Sequence, residues 1–157
     1  MSWSVPRTWT AGELVGETIM NTHIRDNLNY LFAPAFQQIV TGSGVSLSAS
    51  ASTAVPVHAN LVITATTKGG NVEVYFEGRF SGAGVQLNLD YNGTAWVATA
   101  SGIIRQSVDR GQMHYHVWVT GLASGQQVFR PTWLQIAGTF VNLEFDINPA
   151  IFWVRGH

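Results

Sequence analysis

The sequence predicts a mainly β protein: a C-terminal jelly-roll or β-sandwich domain preceded by an N-terminal extended arm and one amphipathic α-helix. Three observations carry this. Apolar side chains recur at a period of two beyond residue 57, glycines and an Asn-Gly pair punctuate those runs, and the one 3.6-residue pattern lies before Pro34. A chain of 157 residues suits one core with a short appendage. The sequence therefore divides into a docking arm and helix (1–34), a linker or extended segment (35–56) and a β domain (57–157).

The arm places Trp3 and Trp9 on either side of Pro6, whose ring fixes φ and removes a donor, so an extended leader with two large anchors is expected. Thr10-Ala-Gly-Glu13 has the form of a capping box and Thr18 is a second candidate cap, which starts the helix somewhere between Ala11 and Ile19. Pro34 disfavours helical conformation at Ala33 and ends it. Met20, Ile24, Leu28 and Leu31 follow one another at helical spacing, while Asn21, Arg25, Asp26 and Asn29 lie mostly off that stripe. A helix of about four turns with so narrow an apolar face needs a partner to be stable.

Thr41–Thr53 holds five serines, two glycines and no charge, which reads as linker or irregular extended chain with weak alternation at Val45 and Leu47. Then the period changes. Val72, Val74 and Phe76 alternate with Glu73, Tyr75 and Glu77; Val85, Leu87, Leu89 and Tyr91 alternate with Gln86, Asn88 and Asp90. Tyr91-Asn-Gly-Thr94 is a hairpin signal, because a type I′ turn needs positive φ at both central residues. Further strands are expected at Ile103–Val108, Met113–Thr120, Gln127–Ile136, Phe140–Ile147 and Ile151–Val154, separated by Gly111, Gly121, Gly125 and Gly138. Roughly eight to ten short strands of this kind indicate a sandwich or jelly roll.

Composition excludes several classes of function. Charged residues are 11% of the chain and the net charge is −1, against about 25% charged residues in an average domain; with no Lys/Arg run, nucleic acid is not an expected partner. No apolar stretch reaches the roughly 18 residues of a membrane span, so membrane insertion is not expected, and the N-terminus lacks the form of a secretory signal. Zero cysteines leave no disulfide, thiolate ligand or thiol nucleophile.

Chemistry-bearing patterns are sparse. His114-Tyr-His116 puts two imidazoles on one strand face, about 6.5–7 Å apart, but two nitrogens are not a metal site, and His23, His58 and His157 lie on unrelated segments. In a symmetric oligomer these histidines could meet their own copies on an axis. The bland reading makes His114, His116 and Trp118 the outer face of a strand whose Met113, Tyr115, Val117 and Val119 pack the core. Glu144 and Asp146 share a strand face at the spacing of glycosidase carboxylates, and Glu73 and Glu77 share one at a wider interval, yet alternation puts them on the solvent side. No Gly-x-Ser-x-Gly elbow or phosphate-cradling loop occurs. No enzyme and no cofactor is expected. Six tryptophans remain as a signal: Trp96, Trp118 and Trp133 either fill the core or offer a sugar or protein contact. Trp96, Trp118, His114 and His116 are the candidates for a glycan or receptor contact.

Trp9-Thr-Ala-Gly-Glu-Leu-Val15, then Met20-Asn21, then Ile24-Arg25-Asp26-Asn27-Leu28 with Leu31, resembles an N-terminal segment carried by structural proteins of tailed bacteriophages, in minor tail, fibre and capsid-surface proteins. Gly16-Glu17 departs from the small helix formers of that segment. The remainder is similar in pattern to trimeric jelly rolls of the tumour-necrosis-factor-like kind: the strand region Asn71–Phe80, Val119–Gly125 leading to Trp133, and a final strand at Ile151–Val154. The resemblance implies a virion-surface protein assembled as a homotrimer, with other virion proteins of capsid or tail as partners, and a host glycan or receptor as a third. Within it, Trp3, Trp9, Met20, Ile24, Leu28 and Leu31 would dock on the particle. A capsid decoration protein and a carbohydrate-binding module are the alternative expectations.

Overall fold

In the computed structural model, residues 4–5, 7–28, 36–41, 45–47, 54–82, 84–96, 102–106, 110–137, 141–144 and 149–156 are described. The chain forms two compact units, Met1–Pro34 and Ala35–His157.

In the first unit, Thr10 and Glu13 make one half of the expected capping box: the Thr10 N–H donates to Glu13 Oε2 at 3.3 Å, while the Glu13 N–H bonds the Thr10 carbonyl, at 3.1 Å, in place of its hydroxyl. They close a turn and do not begin the helix, because Gly12 sits at φ +82°, a conformation no helix continues through. Helix α1 starts later, at Glu17–Met20, with Gly16 as an N-cap that has no side-chain hydrogen bond. It passes into a π-helical segment, Asn21–Arg25, and stays helical to Leu28.

The second unit is mainly β and sandwich-like. Among the described residues its strands are β1 (Phe36–Thr41), β2 (Val45–Leu47), β3 (Val55–Pro56), β4 (Ile63–Gly82), β5 (Val85–Tyr91), β6 (Thr94–Ala95), β7 (Ile104–Gln106), β8 (Arg110–Gln135), β9 (Val141–Glu144) and β10 (Ala150–Gly156). They hydrogen-bond in the order β1-β10-β4-β8-β5-β6, with β2 and β4 on β9, β3 on β8 and β7 on β5. The segment 35–56, expected to be linker or extended chain, thus contributes β1 against β10 and β2 against β9.

Two strands are far longer than expected. β8 is continuous where Gly121 and Gly125 were expected to separate two strands, because those glycines bend the strand without ending it: they adopt φ of +72° and +123°. β4 turns at Gly69-Gly70, where both residues have positive φ, and the register to β8 slips by one between Gly70↔Leu122 and Val72↔Val119. The slip switches which side chains face inward. Ile63, Ala65 and Thr67 are buried before it; Val72, Val74, Phe76 and Phe80 after it. The core formed this way also takes Leu87, Leu89, Met113, Tyr115, Val119, Phe129, Trp133, Leu143, Phe152 and Val154.

Tyr91-Asn-Gly-Thr94 forms the expected hairpin, with Tyr91↔Thr94 in register and φ of +50° at Asn92 and +85° at Gly93. The alternation in β5 departs from expectation, since Gln86 and Asn88 are buried along with Val85, Leu87 and Leu89. The polar side of this strand is closed over: Gly102 lies directly on Gln86, and the Ile103 N–H bonds the Leu87 carbonyl at 2.8 Å. Asp90 is half-buried beside Arg130, at 3.2 Å.

Candidate functional site

Side chains of β4, β8 and β10 that alternation turns away from the core collect into one face. Register puts Tyr75 between Trp153 of β10 and His116 of β8, Glu73 between Arg155 and Trp118, and Glu77 between Ile151 and His114. The β1 neighbours continue the rows, Gln38 beside Trp153 and Val40 beside Ile151. At the centre Tyr75 and Trp153 stack with centroids 5.4 Å apart and planes 15° from parallel. His114 stacks on Tyr75 at 6.4 Å. His116 meets Tyr75 edge-on at 6.3 Å and Trp153 at 5.6 Å. Offset aromatic pairs of this kind contribute about 0.5–1.5 kcal/mol each beyond area burial.

Polar groups tie this cluster together. His116 Nε2 lies 3.6 Å from Glu73 Oε1. The Tyr75 hydroxyl donates to Glu77 Oε2 and the Gln112 amide to Glu77 Oε1. Burial, followed by the hydrogen bond to Glu77 and the charge of that carboxylate, pushes the Tyr75 hydroxyl up from 10.0 to about 12. A phenol whose folded value lies above its unfolded one favours folding fully below pH 10 and loses that contribution as pH rises from 10 through about 12. Ultraviolet titration of the tyrosines should therefore show a class that ionises only near the upper end of that window, and Tyr75→Phe should remove it while leaving the more deeply buried Tyr115, also raised by burial.

The structure brings His114, His116 and Trp118 together on this face, all three exposed, with Trp118 at 48% of full exposure. Met113, Tyr115 and Val119 point the other way into the core, and Val117 packs against it, as the alternation predicted. Trp96 does not join them. It is packed against the core, and its backbone N–H bonds the Leu89 carbonyl at 2.7 Å. Trp133 is core as well. Glu144 is engaged by Arg79 at 3.6 Å; Asp146 lies outside the described residues. Among the described residues no group of three His, Asp or Glu side chains is placed to hold a metal, and no helix is long and apolar enough to cross a membrane.

A second set of candidate residues belongs to the N-terminal unit. Trp9, Met20, Ile24 and Leu28 are 44%, 46%, 39% and 46% exposed, and Val5, Leu14 and Val15 are exposed with them. Trp3 and Leu31 lie outside the described residues. Arg7 sits over the Trp9 ring at 5.7 Å and pairs with Glu13. Among the described residues of this unit Asn27 is the buried one. Its amide spans the backbone of Ser4, accepting the Ser4 N–H at 3.0 Å and donating to the Ser4 carbonyl at 3.0 Å. The Ser4 hydroxyl reaches the Thr22 carbonyl at 3.2 Å. The leader is thus strapped along the helix.

Sequence reasoning missed three parts of these sites. Tyr75 was placed on the outward side of β4, but its meeting with Trp153 depends on strand pairing far along the chain. Asn27 entered only as a member of the phage-like segment, since nothing local marks a side chain that clamps a backbone 23 residues away. The π-helical segment carries no signal in the residue pattern. Comparison with protein-family models and with curated proteins finds no match for the chain.

Proposed function

We propose that this chain is a non-enzymatic structural protein of a bacteriophage virion, a homotrimeric surface appendage of head or tail whose N-terminal unit docks on the particle and whose β unit is displayed, for host attachment. The observation that carries it is the exposure of Trp9, Met20, Ile24 and Leu28 on a unit already organised by the Ser4–Asn27 strap. Four large apolar side chains held at the surface of a preorganised element are what an anchor requires: ordering costs are met before binding, and each anchor contributes when a partner covers it. The resemblance of Trp9–Leu28 to phage N-terminal segments supplies the kind of partner. Engagement of Glu77 by Tyr75 and Gln112, and of Glu144 by Arg79, supports a structural over a hydrolytic role for these acids.

Capsid decoration is the second reading, and one observation favours it. Part of the segment expected to be linker is built into the sheet as β1 and β2, which shortens the chain left to hold the β unit away from the particle as a fibre would.

Ile24→Asp tests docking. In the full chain it should leave the circular dichroism unchanged and reduce incorporation into particles by a few kcal/mol of interface stability, a charge being buried without a partner. Incorporation at the normal level would contradict an Ile24 contact.

A further inference from the structure

We infer that the outward face of β1, β10, β4 and β8, centred on Tyr75 and Trp153, is the surface through which copies of this chain associate. The inference rests on the homo-oligomer reading above and names the surface that reading left open. Three features select a second copy as the occupant. The face is broad: four strands about 4.8 Å apart and six residues long at about 3.4 Å each give on the order of 400 Å² in projection, enough for the centre of an interface that needs roughly 800 Å² per partner with its rim. It combines apolar and aromatic groups, with Val40 52% and Trp118 48% exposed and Ile151, Tyr75 and Trp153 half-buried beside them.

Its charges are matched within the chain. Glu73 lies opposite Arg155 in the register and near His116, Glu77 holds Tyr75 and Gln112, and Arg79 pairs with Glu144. Two copies can therefore meet with these charges already engaged within each chain. A sugar platform is less well served at the centre of this face, because Tyr75 stacks with both Trp153 and His114, and a sugar needs an open ring face. A nucleic acid would want an excess of positive charge that the face lacks.

The chain contains no cysteine, which permits a clean test on the full-length protein. Mass photometry and sedimentation of the wild type should give a multimer, and Trp118→Glu should weaken it roughly tenfold or more at unchanged circular dichroism. Since Trp118 lies outside the core, the variant should fold. Single-cysteine chains His116→Cys and Gln112→Cys should form disulfide-linked pairs under mild oxidation, whereas Asn60→Cys, in the exposed turn 59–60, should not. A multimer that Trp118→Glu leaves intact and that the face cysteines fail to link would overturn this surface while leaving the oligomer reading in place. A monomer at micromolar concentration would overturn both. Binding of a host glycan that Trp118→Glu abolishes, with the multimer unaffected, would assign the face to sugar instead.

Discussion

Trp133→Ala is expected to destabilise the β unit by about 3–5 kcal/mol, measured as the loss of unfolding free energy in denaturant. Trp133 is fully enclosed. Its ring lies 5.7 Å from that of Phe80, and its strand neighbours are Leu87 of β5 and Val55 of β3. It stands where β8 has left β4 and taken β5 as partner, so its side chain fills the space between the two parts of the folded sheet. Truncation leaves a cavity bordered by strands that cannot collapse without losing their hydrogen bonds, which places the cost toward the upper end of that range. Trp96→Ala should cost less, because Trp96 only borders the core, and the contrast between the two separates core filling from general loss of aromatic area.

Gly102→Ala should be comparably damaging, about 2–5 kcal/mol, from two additive causes. Gly102 has φ of +60°, which costs an L-residue about 1–2 kcal/mol. An added Cβ would lie 2.3 Å from Gln86 Cγ and 2.9 Å from the Leu87 carbonyl oxygen, and such overpacking typically costs about 1–3 kcal/mol. The backbone cannot move away cheaply, because the Ile103 N–H is bonded to that same carbonyl. Gly93→Ala is the control: φ is +85° there too, but nothing lies within 4 Å of the added atom, so only the conformational part is lost. A thermal melt in which both variants fall equally would remove the steric half of the argument.

How much of this was legible in the sequence follows from which interactions are local. Alternation in Val72–Glu77 and Met113–Val119 is a property of neighbouring residues, and it placed Tyr75, His114, His116 and Trp118 outside the core correctly. The Asn92-Gly93 turn is equally local. Pairing is not: that Trp153 meets Tyr75 depends on residues 78 positions apart in register, and no run of residues encodes it. Gly121 and Gly125 read as strand ends because positive φ usually ends a strand; here the long ladder absorbs it as corners. Burial of Gln86 and Asn88 escaped notice for the same reason, since a strand covered on both faces by later segments still looks half-polar when read alone. In the N-terminal unit the apolar stripe was legible, while the strap that organises it was not, because Asn27 acts on a backbone at the other end of the unit.

The division of labour between a docking unit and a displayed β unit is the central claim, and the two compact units, Met1–Pro34 and Ala35–His157, allow it to be tested by removing one. A chain lacking residues 1–32, supplied during particle assembly, should yield a folded β unit by circular dichroism and a cooperative melt, with no copies on purified particles by quantitative immunoblot. Particles that carry the truncated chain at the full-length level would contradict the account, because attachment would then reside in the strands.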